Sequence, residues 1–163
     1  MSGIQDLIDR HRGDGILVDS NLLVLYLVGK VNRRRITQFK RTRSFRVEDF
    51  EILDGILAQF HTKLTTPGIW AEVSNLTDLQ GTELRAIRQL IQKKLQLVTE
   101  HYTPSSELAG TPAFHRLGIT DAAIVKLNER PMLALTADLQ LYVWLLDRGV
   151  DAYNFNHIRV GNP

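Results

Sequence analysis

The 163-residue chain contains no cysteine. That absence excludes disulfides, thiolate metal ligands and cysteine nucleophiles, and it suits a reducing cytoplasm, where the protein is expected to reside. Long apolar runs are also missing. The longest, Leu22 to Val28, falls far short of the roughly 18 to 20 residues that cross a bilayer, so no membrane role is expected. The stretch from Met1 to Gly15 holds Asp6, Asp9, Arg10, Arg12 and Asp14 without an apolar centre, which does not fit a signal peptide. Nor does any Pro/Gly/Ser-rich linker divide the sequence, so residues 1–163 are expected to form a single domain large enough for a real core.

The net charge is only +2, so the field of the whole molecule would steer a nucleic acid weakly, and the placement of the charges matters more than their sum. No acidic residue occurs between Asp19 and Glu48, and within that gap lie Lys30, Arg33, Arg34, Arg35, Lys40, Arg41, Arg43 and Arg46, interleaved with Phe39 and Phe45. Arg85, Arg88, Lys93 and Lys94 fall on a segment of helical period and read as its solvent face.

What is present is an alternation of short apolar runs with helical segments. Strands are expected near Ile16 to Val18, Leu64 to Thr66, Leu95 to Val98, Leu133 to Thr136 and Asp151 to Phe155, with helical period over Val47 to His61 and Thr82 to Lys94. This order predicts an α/β protein, a three-layer α/β/α sandwich around a mainly parallel sheet of about five strands.

Four acids stand where strand-like runs give way to helices: Asp19 after Ile16-Leu17-Val18, Glu72 in the helix opened by Pro67, Asp121 at the start of the run from Ala122 to Glu129 with Thr120 as N-cap, and Asp138 after Leu133 to Thr136. Acids at such junctions are often plain caps, and that reading applies to each of the four. It is weakest for Asp19, which is embedded between Val18 and Leu22, because an unpaired acid near buried surface is costly. Carboxylates gathered within roughly 5 Å repel one another unless a cation neutralises them. Oxygen-only ligation favours Mg²⁺ or Mn²⁺ over Zn²⁺, and hydrolysis of a phosphodiester is the natural chemistry of such a site.

These segments resemble the PIN-domain nucleases. Ile16-Leu17-Val18-Asp19-Ser20-Asn21-Leu22-Leu23 is similar to that family's opening motif, Thr66 to Val73 to the segment with the second acid, Gly118 to Ile124 to the third, Leu135-Thr136-Ala137-Asp138 to the fourth, and Val150 to His157 to its final strand. The resemblance implies a metal-dependent endoribonuclease in which Asp19, Glu72, Asp121 and Asp138 hold Mg²⁺ or Mn²⁺, with Asn21, Thr136 and Asn156 as supporting polar groups. In that family the fourth acid varies more. Many small bacterial members are toxins held silent by an antitoxin protein, and the long basic segment from Lys30 to Arg46 departs from their compact pattern.

That segment has two readings. Arg33, Arg34, Arg35, Lys40, Arg41 and Arg43 would bind RNA phosphates while Phe39 and Phe45 stack on bases, or the segment is a solvated loop anchored by its phenylalanines. Other functions consistent with the sequence are an inactive RNA-binding or interaction domain, and a phosphatase with Asp19 as nucleophile, disfavoured because Asn21 stands where a second aspartate is wanted. Ser20 and Ser74 lack a nucleophile-elbow setting. The histidines form no metal-binding pair, and His115 and Arg116 alone lie close to an acid motif. The helix containing Tyr142 and Trp144 is apolar nearly all round, which suggests a buried helix or a homodimer face.

Overall fold

In the computed structural model, which describes residues 2–159, five parallel strands form one sheet with helices on both sides. The elements are α1 (Ser2–His11), β1 (Ile16–Val18), α2 (Ser20–Val31), α3 (Val47–Ala58), β2 (Lys63–Thr65), α4 (Pro67–Leu76), α5 (Gly81–Leu95), β3 (Thr99–Glu100), α6 (Ser105–Ala109), α7 (Pro112–Leu117), α8 (Ile119–Leu127), β4 (Leu133–Thr136), α9 (Leu139–Leu146) and β5 (Ala152–Asn154), with 3₁₀ turns at Arg33–Arg35 and Phe155–His157. Strand order is β3-β2-β1-β4-β5.

Every residue of β1 and β4 is buried. Because successive side chains of a strand point to opposite faces, burial without alternation means that both faces of the central strands are covered. The expected three-layer architecture is therefore the observed one. Among the described residues no helix is long and apolar enough to cross a membrane.

Most boundaries shift by one to three residues, and the third strand, expected over Leu95 to Val98, lies wholly beyond that range. Helix α5 continues to Leu95, and the third strand begins only at Thr99, because Leu95 extends the Ile87 and Ile91 helical row rather than opening a strand. Helix α1, hidden among charges in the sequence, docks through Ile4 and Ile8, both buried and four residues apart on one face. Helix α9 buries Leu141 and Leu145 and leaves Leu139, Val143 and Leu146 exposed, so it is half buried rather than covered all round.

The basic segment is folded against the core. Ile36, Phe39, Thr42 and Phe45 are buried, the two phenylalanines at 9% and 7% exposure. The reading in which Phe39 and Phe45 stack on bases is therefore corrected: their rings anchor the loop, Phe45 facing Phe155 at 6.4 Å. Several of the cations are already paired, Lys30 with Asp54, Arg33 with Glu51, Arg35 with Glu83 and Lys40 with Asp78. Arg34, Arg41 and Arg43 are exposed and have no ion pair among the described residues.

Helices α2 and α3 meet where Gly29 faces Phe50. A Cβ at Gly29 would lie 2.3 Å from a ring atom of Phe50, and both residues are buried. In Gly29→Ala the gain in helix propensity, about 1 kcal/mol, is outweighed by overpacking of about 1–3 kcal/mol, since the enclosed ring has no room to swing away. The expected result is a lower denaturation midpoint, partly restored in Gly29→Ala/Phe50→Leu, as measured by urea titration.

Candidate functional site

The strand order reverses between β1 and β4, with β2 and β3 on one side and β5 on the other. Open parallel sheets form their ligand crevices at this point, outside the carboxyl ends of the strands. Asp19 follows β1 directly and Asp138 lies two residues beyond β4, so both stand at that crevice. Glu72 comes from α4 and Asp121 from the first turn of α8. All four acids line a single cavity of about 290 Å³, together with Ser20, Asn21, Gly118 and Thr120.

Asp19 is held most tightly. It caps α2, its Oδ1 accepting the Leu22 amide at 3.2 Å. Its Oδ2 accepts the Ala137 amide at 3.1 Å and the Thr136 hydroxyl. Sheet register explains the second pair: Val18 is aligned with Leu135, which brings the residues after them, Asp19 and Thr136, side by side. Burial pushes the Asp19 carboxyl above its ordinary value, although the Thr136, Leu22 and Ala137 hydrogen bonds act in the opposite direction and nearby Asp138 adds to the rise.

Asp121 reports on the whole group. Its pKa is raised to about 7, first by burial and then by the negative charges of Asp138, Asp19 and Glu72. Glu72 and Asp138 are more exposed. Asp138 caps α9, its Oδ1 accepting the Gln140 and Leu141 amides at 2.8 and 3.0 Å, so the capping role coexists with a place in the cavity for both Asp19 and Asp138.

Thr120 does not cap a helix. Helix α8 starts one residue earlier, after Gly118, whose φ of +90° is one that L side chains rarely adopt. The Thr120 hydroxyl instead donates to Glu72 Oε1 at 2.6 Å, joining α8 to α4 across the cavity. Ser20, set aside as a nucleophile from its sequence context, has a buried hydroxyl with no hydrogen-bond partner among the described residues and lines the same cavity. Its position directly after Asp19 is the only signal in the sequence that marks it.

Of the expected supporting groups, Asn21 lines the cavity and Thr136 binds Asp19. Asn156 lies behind the cavity wall, its Nδ2 donating to the Ala137 carbonyl at 3.0 Å while its Oδ1 accepts from Arg159 at 3.2 Å. Arg159 also donates to the Ser44 carbonyl. This relay ties the end of the basic segment to the turn that carries Asp138. Arg33, Arg34, Arg35, Lys40, Arg41 and Arg43 are not among the residues lining the cavity, and neither are His115 and Arg116.

The donors are all hard oxygen atoms, four carboxylates and the orphaned Ser20 hydroxyl, which is the ligand chemistry of Mg²⁺ or Mn²⁺. Among the described residues, no three acid or imidazole groups stand close enough to form a ready-made cation cage. No family model matches the chain, and no curated protein and no solved structure is detectably similar to it.

A raised carboxyl pKa has a definite sign in stability. In the unfolded chain Asp121 ionises near its ordinary 3.8, and in the folded chain near 7, so folding takes up a proton between these values and the charged acid opposes folding above them. Asp121→Asn is therefore expected to raise the melting temperature in metal-free buffer at pH 8, with a smaller gain at pH 5.5, as followed by circular dichroism.

Proposed function

We propose that the protein is a metal-dependent endoribonuclease that hydrolyses RNA phosphodiester bonds at the cavity formed by Asp19, Glu72, Asp121 and Asp138. The observation that carries this reading is that four carboxylates from four separate segments line one cavity at the switch point of the sheet. Burial first, and then the charges of Asp138, Asp19 and Glu72, push the Asp121 carboxyl up to about 7, a strain that a bound cation would relieve. The resemblance of the four motifs to PIN-domain nucleases supports the same reading.

Asp19, Glu72, Asp121 and Asp138 would hold Mg²⁺ or Mn²⁺, which when bound supplies Lewis-acid polarisation of the phosphoryl group and a more acidic water. The chain's own groups fix the carboxylates. Thr136, Leu22 and Ala137 lock both oxygens of Asp19, and Thr120 orients Glu72. Preorganisation of this kind keeps the site from relaxing when charge develops on the substrate. Arg34, Arg41 and Arg43, which are exposed and make no ion pair among the described residues, are the members of the basic segment suited to meet RNA phosphates. Arg33, Arg35 and Lys40 are spent on acids of the fold.

The decisive test is cleavage of single-stranded and structured RNAs with Mn²⁺, with Mg²⁺ and with EDTA. Wild type is expected to cut only with metal, and Asp121→Asn, which removes no helix cap, to be inactive. Thr136→Val is expected to lose roughly 10–100-fold, the usual cost of removing a group that orients a metal ligand. Cutting that survives EDTA or Asp121→Asn would sink the proposal.

The basic segment gives a second expectation. Arg41→Ala/Arg43→Ala should raise KM for RNA with little change in kcat, and should flatten the salt dependence of binding by about 0.7 in log–log slope per lost phosphate contact. An unchanged slope in a filter-binding titration across salt concentrations would assign the segment to a structural role.

A further inference from the structure

On the side of the sheet where α2, α3 and α5 meet β2, the structure contains a second and larger cavity, of about 610 Å³, separate from the acidic one. Its walls are largely apolar, built from Val18, Leu57, Leu64 and Val98 among others. This volume lies within the range of small-molecule sites, roughly 300–1,000 Å³.

The polar residues on the lining are Asp54, His61, Lys63, Thr65, Lys94 and Gln96. Lys63 and Lys94 both line the cavity, and neither has an ion pair among the described residues. The Lys63 ammonium donates to the Phe60 carbonyl at 2.5 Å, and that of Lys94 lies over the Tyr26 ring, 5.2 Å from its centre. Burial and the neighbouring charge of Lys94 hold the Lys63 pKa below its ordinary value, the condition of two cations sharing a site without an anion. Thr65 Oγ1 and Trp70 Nε1 belong to lining residues, are buried, and have no hydrogen-bond partner among the described residues. Asp54, the one acid on the lining, is already bound by Lys30 at 2.8 Å.

We propose that this cavity binds a small amphiphilic monocarboxylate, whose alkyl body fills the apolar chamber and whose head group is met by the ammonium groups of Lys63 and Lys94. Apolar walls select the body, and two cations with no ion pair among the described residues select a negative head. The burial that holds the Lys63 pKa down limits the positive charge on this wall, which suits the single charge of a carboxylate better than a dianionic phosphate monoester. The inference does not depend on the nuclease reading. The two cavities share elements, however: Val18 immediately precedes Asp19, and Trp70 lies two residues before Glu72 on α4.

The test is calorimetric titration of the full chain with decanoate, decanol and decyl phosphate, alongside light scattering. Decanoate is expected to bind saturably at one site per chain, and decanol about tenfold more weakly, the factor carried by a charge-assisted hydrogen bond. Lys63→Met and Lys94→Met, which keep the volume of the stem, should each weaken decanoate severalfold without changing decanol. A bulky Val98→Trp should block both ligands while leaving RNA cleavage in place. No saturable binding, equal affinity for decanol, tighter binding of decyl phosphate, or a dimer that covers the cavity and is indifferent to decanoate would each overturn the assignment.

Discussion

The buried carboxylate of Asp19 is the constraint around which the molecule is arranged. At 5% exposure this acid is stripped of most of its hydration, and three hydrogen bonds stand in for the lost water. They do not replace it fully, since burial still raises the pKa in spite of those bonds. What the donors achieve is position. They come from the first turn of α2 and from the end of β4, so the acid is fixed only if β1 and β4 pair in the right register. A slip of one residue would turn the Thr136 hydroxyl to the other face of the sheet. The pairing of the two central strands and the construction of the site are thus one event.

The parts of the structure legible in the sequence are those whose signals are local. Leu133 to Thr136 reads as a strand and is one, because a strand covered on both faces needs an unbroken apolar run. The acids at the ends of β1 and β4 are visible for the same reason, as polar interruptions at the point where a strand stops. Pro67 marks the start of α4 because its fixed φ suits a first helical turn.

What was not legible depends on partners far away in sequence. Arg35 and Lys40 read as available cations, yet Glu83 and Asp78, each about forty or more residues distant, neutralise them. Phe39 and Phe45 admit two readings from sequence, stacking on bases or anchoring the loop, and only its tertiary packing decides for anchors. Thr120 has the composition of a cap, and its real partner, Glu72, lies on another helix. Lys94 reads as part of a solvent face with Arg85, Arg88 and Lys93, but it is half buried and turns over Tyr26. In each case the residue type was read correctly and the neighbour was missing.

The sheet also ends in an unusual way. Its outer strand on the β2 side, β3, is two residues long, and both are exposed. A strand so short presents too few unpaired backbone groups for a second chain to extend the sheet. Beyond it the chain leaves the sheet through Tyr102 and Pro104, and a proline has no amide hydrogen to offer a pairing strand. The consequence belongs to life at high concentration: the apolar surface near Leu97, 74% exposed, sits beside an edge that cannot template strand addition, which separates stickiness from the geometry that fibrils require.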